Sequence, residues 1–218
     1  MAVFNTTEAQ SVDVTNSIHE DAELGPDKDE LKILESSRPC DYSFRQIDSL
    51  DYFEKLPANE VDAQKPRAFR LGGLPKIGRN ARYLSLSIWL NNNRLTNLEY
   101  LDKFTKSILV YPNLLSWLDI SHNRINEIND VIATFQNLKI LYLHHNDLRS
   151  IKSILILRNL PKLRNLTFAG NPIEQSTENY RIFIAHLFPN IIKLDFTLVT
   201  IEEKTSPAPA AFYRVMNL

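Results

Sequence analysis

Three histidines, His122, His144 and His145, are the side chains best suited to metal or proton-transfer chemistry. A metal site needs about four converging N, S or O ligands, and no cysteine or carboxylate completes a set beside them. If the chain stays extended through His144 and His145, their rings point to opposite faces. The lone cysteine, Cys40, falls in a stretch whose composition reads as a tail. Gly72-Gly73-Leu74-Pro75-Lys76-Ile77-Gly78 lacks the spacing of a phosphate-cradling loop, and no Gly-x-Ser-x-Gly is present. These spacings predict a chain that is not an enzyme, needs no metal or other cofactor and takes no small-molecule substrate. The remaining candidates are residues that bind: Trp89, Trp117 and Tyr142 as aromatic anchors, Ile140 beside them, and Asp119 and His144 to set orientation.

The elements that position these residues follow from a repeated pattern, apolar-x-x-apolar-x-apolar-x-x-Asn-x-apolar. It occurs as Ser85, Ile88, Leu90, Asn93, Leu95; as Leu115, Leu118, Ile120, Asn123, Ile125; as Leu138, Leu141, Leu143, Asn146, Leu148; and as Leu163, Leu166, Phe168, Asn171, Ile173. The asparagines stand 30, 23 and 25 residues apart, within or near the period of roughly 20–29 of leucine-rich repeats, which the pattern resembles. The expected fold is an α/β solenoid with short parallel strands on the concave face, helical returns on the convex face and a C-terminal cap. The two apolar residues at period 2 aim a strand's inner face at the core. Asn93, Asn123, Asn146 and Asn171 are expected to bond the backbone of adjacent coils, a structural role. The strand residues between the core positions then face the concave side. One row is Trp89, Asp119, Tyr142, Thr167 and Asp195; another is Ser87, Trp117, Ile140, Asn165 and Lys193. Leu98, Leu101, Phe104 and Ile108, then Ile128, Val131, Ile132 and Phe135, then Ile151, Ile154, Leu155 and Leu157 recur at helical spacing in the returns, as α or 3₁₀ turns.

The formal charge of −1 hides an acidic head and a basic body: residues 1–63 hold fifteen acidic against five basic residues, and residues 64–218 hold eleven against twenty. Residues 1–40 are expected to form an acidic, mostly disordered tail. Within it Leu31, Ile33 and Leu34 are either a cluster that turns helical on a partner or an incidental one. Residues 41–82 are expected to cover the N-terminal edge through Tyr42, Phe44 and Phe53 and to include a basic connector, either a solvated loop or a surface for nucleic acid or an acidic protein. Repeats occupy 83–175, a cap 176–204, and a tail or short helix 205–218. The start of the chain shows no basic-then-apolar signal, and no apolar run approaches the roughly 18 residues that span a membrane. One cysteine gives no internal disulfide, and a cytoplasmic location is expected. The same N-terminal aromatics supply an alternative to a partner on the concave face: they could fold over the tryptophans as a lid.

Asn171-Pro172, Tyr180-Arg181, Phe188-Pro189 and Leu194-Asp195-Phe196 closely resemble the C-terminal cap of a small leucine-rich-repeat family that includes the spliceosomal A-prime protein, axonemal dynein light chain 1 and the acidic nuclear phosphoproteins. Tyr180, Phe183 and Leu187 are expected to seal the stack. Asp41-Tyr42-Ser43-Phe44-Arg45, Trp89 to Asn93, Trp117 to Ser121, Leu141 to His144 and Asp195 to Thr200 extend the resemblance over residues 41–218. It implies a non-enzymatic scaffold or adaptor that binds other proteins, axonemal or cytoskeletal, in the cytoplasm or the ciliary axoneme. It also implies an alternative, a ribonucleoprotein or nuclear protein-binding module. A concave strip that is aromatic and mixed in charge makes nucleic acid the weaker expectation.

Overall fold

The computed structural model describes residues 25–51, 65–68 and 72–216. The repeat pattern builds a stack of coils. Strands β1 (Cys40–Asp41), β4 (Ser87–Trp89), β5 (Trp117–Asp119), β6 (Ile140–Tyr142), β7 (Asn165–Thr167) and β8 (Lys193–Leu194) lie side by side and parallel, and β9 (Thr197–Leu198) turns back antiparallel on β8. Register runs straight across the stack. Ile88 faces Leu118, then Leu141, Leu166 and Leu194, and all five are buried. Leu90, Ile120, Leu143 and Phe168 form a second buried layer, and Leu95, Ile125, Leu148 and Ile173 a third. Each such side chain contributes about 1.5–3 kcal/mol on burial.

The asparagines bond as their spacing predicts. Asn123 Nδ2 donates to the Leu90 and Ile120 carbonyls, both at 3.0 Å, and its Oδ1 accepts from Leu95 N at 3.0 Å. Asn146 and Asn171 repeat this one coil on, and Asn93 repeats it against Tyr42, Arg45 and Ile47 of the N-terminal segment. Repeat length selects the return. The long first repeat accommodates α2 (Leu101–Ile108), after α1 (Lys28–Glu35), whereas the shorter ones close with 3₁₀ turns, Asp130–Thr134 and Ile151–Asn159.

The ends correct the reading of a tail over residues 1–40. Asp27 and Glu30 form a capping box that starts α1, and Leu34 of α1 packs on Leu84, Val110 and Tyr111. Tyr111 Oη donates to Glu30 and accepts from Arg79. Cys40 is fully buried in β1, and burial pushes its thiol up to about 12. A few well-placed apolar residues, too sparse to register in composition, order this stretch; residues 1–24 lie outside the description. The connector is also partly structured: β2 (Lys76–Ile77) pairs antiparallel with β3 (Tyr83–Leu84), and Arg67 Nη2 donates to the Phe44 carbonyl at 2.8 Å. Phe53 falls outside the described residues. At the other end α3 (Pro172–Ser176) and α4 (Tyr180–Leu187) bury Phe183 and Leu187. The last segment holds α5 (Ile201–Thr205) and α6 (Ala210–Met216), and Phe212 of α6 meets Phe183 edge-on at 5.7 Å.

Candidate functional site

The side chains between the core positions stand on the concave face in two rows that the register defines. Ser87, Trp117, Ile140, Asn165 and Lys193 follow one another across β4 to β8. Trp89, Asp119, Tyr142 and Thr167 form the row beside them. Because the chain offset places the two tryptophans in different rows, they meet diagonally, edge to face at 5.4 Å, and Trp117 meets Tyr142 at 5.9 Å. Trp89, Trp117, Ile140, Tyr142, Asp119 and His144 are all half-buried. The structure therefore brings every sequence-nominated binding residue onto one surface.

The fifth place in the second row differs from expectation. Asp195 does not continue it. Asp195 and Phe196 both take left-handed conformations, φ 49° and 66°, in the tight turn between β8 and β9. Asp195 turns inward, where its Oδ1 accepts from Phe168 N and Ala169 N at 2.7 and 2.9 Å and its Oδ2 accepts from Tyr180 Oη at 2.9 Å. Phe196 takes the concave position instead, 58% exposed, with its ring 5.4 Å from Tyr142 and 5.1 Å from His144. A small cleft of about 80 Å³ lies between Tyr142, Thr167, Lys193 and Phe196. The sequence signal for Phe196 was available: two residues between a strand and its antiparallel return form a hairpin turn, which breaks the alternation.

The histidines also depart from the expected alternation. β6 ends at Tyr142, and His145 enters the left-handed region at φ 53°, so His144 and His145 do not point apart. His122 stacks on His145 at 4.4 Å and meets His144 edge-on at 5.2 Å. Burial lowers the His144 pKa against the opposing pull of Asp119; burial and then the His145 charge lower that of His122. His144 Nδ1 lies 2.9 Å from Thr167 Oγ1. Among the described residues no three His, Cys, Asp or Glu side chains are grouped to hold a metal ion.

Tyr42, which the alternative reading would place in a lid, is fully buried at the N-terminal edge and packs edge-on against Phe104 at 5.3 Å, while Phe44 is exposed. No helix among the described residues is long and apolar enough to cross a membrane.

Residues 97–214 match the family profile described as leucine-rich repeat. Leucine-rich repeat-containing protein 51 of Bos taurus is 34% identical over 182 residues, covering 83% of this chain and 86% of that protein. A probable U2 small nuclear ribonucleoprotein A' of Caenorhabditis elegans is 33% identical over 116 residues, 53% of this chain and 42% of that protein. Among solved structures, a chain of the Drosophila melanogaster SNF/U2A' complex superposes with a TM-score of 0.54 at 18% identity, covering 85% of this chain and 95% of that one, a likeness of fold.

Proposed function

We propose, since this chain belongs to the leucine-rich-repeat family, that it is a scaffold or adaptor that holds a segment of a partner protein on its concave aromatic strip. Members of the family are generally non-enzymatic protein-binding modules. The observation that carries the reading is the run of ring contacts from Trp89 through Trp117 and Tyr142 to Phe196, half-exposed on the face that the strands share. Trp and Tyr are over-represented among the residues that dominate binding energy, and an exposed apolar strip of this kind marks an interaction surface. Ile140 extends the strip, and Asp119 and His144 give it polar direction. The partner assembly we favour is axonemal or cytoskeletal, in the cytoplasm or the ciliary axoneme. Its support is the cap motif, Asn171-Pro172, Tyr180-Arg181, Phe188-Pro189 and Leu194-Asp195-Phe196, that resembles axonemal dynein light chain 1.

A second reading, a ribonucleoprotein or nuclear module, is favoured by the similarity to the nematode U2 ribonucleoprotein A'. Salt separates the two: contacts to nucleic-acid phosphates weaken steeply with salt, and an aromatic-anchored protein interface does not. The experiment is affinity capture from ciliated and non-ciliated cells with the wild-type chain and a Trp89→Ala/Trp117→Ala variant of unchanged circular dichroism. Axonemal proteins captured by wild type and lost with the variant are expected. Capture dominated by RNA-binding proteins that release at moderate salt would favour the second reading, and a variant that keeps every partner would remove the concave site.

A further inference from the structure

Among the described residues Asp119 is the one half-buried acidic side chain in the two concave strand rows, since Asp41, which β1 adds beside Trp89, is fully buried, and rings flank Asp119. In register it stands between Trp89 on β4 and Tyr142 on β6, and Trp117 lies two residues earlier on the same face of β5. Trp117 touches both of the other rings, at 5.4 and 5.9 Å, so the three form an arc about the carboxylate. The Asp119 charge reaches its neighbours: after burial it is what raises the Tyr142 hydroxyl, and it opposes the lowering of His122 and His144.

The fold uses only part of this side chain. Asp119 Oδ1 accepts from Ser121 N at 3.0 Å and from Ser121 Oγ, closing a small turn at the strand end. An amide oxygen would serve that turn equally. The neighbouring coils, Trp89-Leu90-Asn91 and Tyr142-Leu143-His144, leave the strand the same way with no carboxylate there. Asp41-Tyr42-Ser43 repeats the turn on β1, but there the carboxylate is fully buried. At position 119 the charge is surplus to the fold, half-buried and open to the concave side. Among the described residues no lysine or arginine pairs with it.

A carboxylate left without a cation in a partly desolvated ring of aromatic faces is costly unless a positive group joins it. Aromatic faces attract such groups in turn, through the negative potential of the ring. We propose that Asp119 is the recognition carboxylate of the concave face and takes the cationic side chain, an arginine or a lysine, of the bound protein segment. Trp89, Trp117 and Tyr142 wall the cation, and Asp119 Oδ2 accepts its hydrogen bond. This rests on the concave-face reading above and names the chemistry of the segment it would hold.

The test is to pan a random-peptide library on the full chain and to measure the recovered peptides against wild type, Asp119→Asn and Trp117→Ala. Asp119→Asn keeps the acceptor for Ser121 and so retains the wild-type melting temperature. Wild-type selection is expected to yield peptides that share one basic position. Replacing that residue by citrulline or norleucine should weaken binding about tenfold, equivalent to ~1.4 kcal/mol. Asp119→Asn should cost the same and add no further loss to the neutral peptide; exchanging Arg for Lys at the position tells which cation is taken. Peptides lost with Trp117→Ala but indifferent to Asp119→Asn, or lacking a shared basic position, would overturn the cation assignment and leave the concave reading standing. Binders indifferent to both substitutions, or no binder at all, would overturn the concave reading itself.

Discussion

An asparagine row and an aromatic strip run across the same coils, and they meet opposite fates. In the asparagine row, Asn93, Asn123, Asn146 and Asn171 are buried and each amide bonds the backbone of its own coil and of its neighbour. In the aromatic strip, Trp117, Tyr142 and Phe196 touch one another but remain partly open, and among the described residues the Trp117 indole N–H has no acceptor. Trp117 and Tyr142 obey the repeat as well as the asparagines do. What separates structural from available residues is therefore not periodicity but whether every polar group and apolar face already has its counterpart within the chain.

Substitutions can break that contrast. The largest effect is expected from Asn123→Leu, which strands Leu95 N and removes one of the two amide donors to each of the Leu90 and Ile120 carbonyls, which keep Asn93 and Asn146. At roughly 1–3 kcal/mol for the unsatisfied N–H and about 0.5–1.5 kcal/mol for each of the two lost amide bonds, a loss of about 2–5 kcal/mol is expected in urea unfolding. Partner binding should fail only where the fold does. Trp117→Ala should invert the pattern: affinity for the captured partner falls by about 2 kcal/mol, roughly 30-fold, in calorimetry, while stability falls by less than half as much as for Asn123→Leu. Trp117→Phe sharpens the contrast further. It removes a buried donor with no acceptor, so stability is expected to stay within about 1 kcal/mol of wild type or to rise.

The smallest effect is on pH. Burial lowers His122 and His144 in the folded chain, with His145 adding to the lowering and Asp119 and, for His144, Asp195 opposing it. The unfolded chain then binds more protons, so stability is complete above an unfolded histidine value of about 6.5 and declines as pH falls below it through the depressed folded values. A His122→Gln/His144→Gln variant should show a shallower decline of melting temperature between neutral and mildly acidic pH; an unchanged slope would show that these rings do not carry it.

Much of this was legible in the residues. The apolar and asparagine positions of four coils, and the concave placement of Trp89, Trp117, Asp119, Ile140 and Tyr142, follow from period-2 alternation locked to a repeated Asn. Alternation stopped being a guide where the backbone left the strand. Left-handed turns at His145 and at Asp195-Phe196 moved two side chains onto the concave surface and withdrew a third. The ordering of α1 and β1 escaped composition because single residues, Leu34 and Cys40, do the anchoring within an acidic stretch. The Asp27 and Glu30 capping box was the local signal for it.

The central claim is that the concave strip is the binding face, and site-specific photocrosslinking in ciliated cells tests it most directly. A photoreactive phenylalanine derivative would replace Tyr142 in one variant and, on the convex return, the exposed Lys152 in another. A discrete covalent adduct from position 142 and none from 152 is the result expected. Adducts from 152 with none from 142 would place the partner on the convex side and contradict the account.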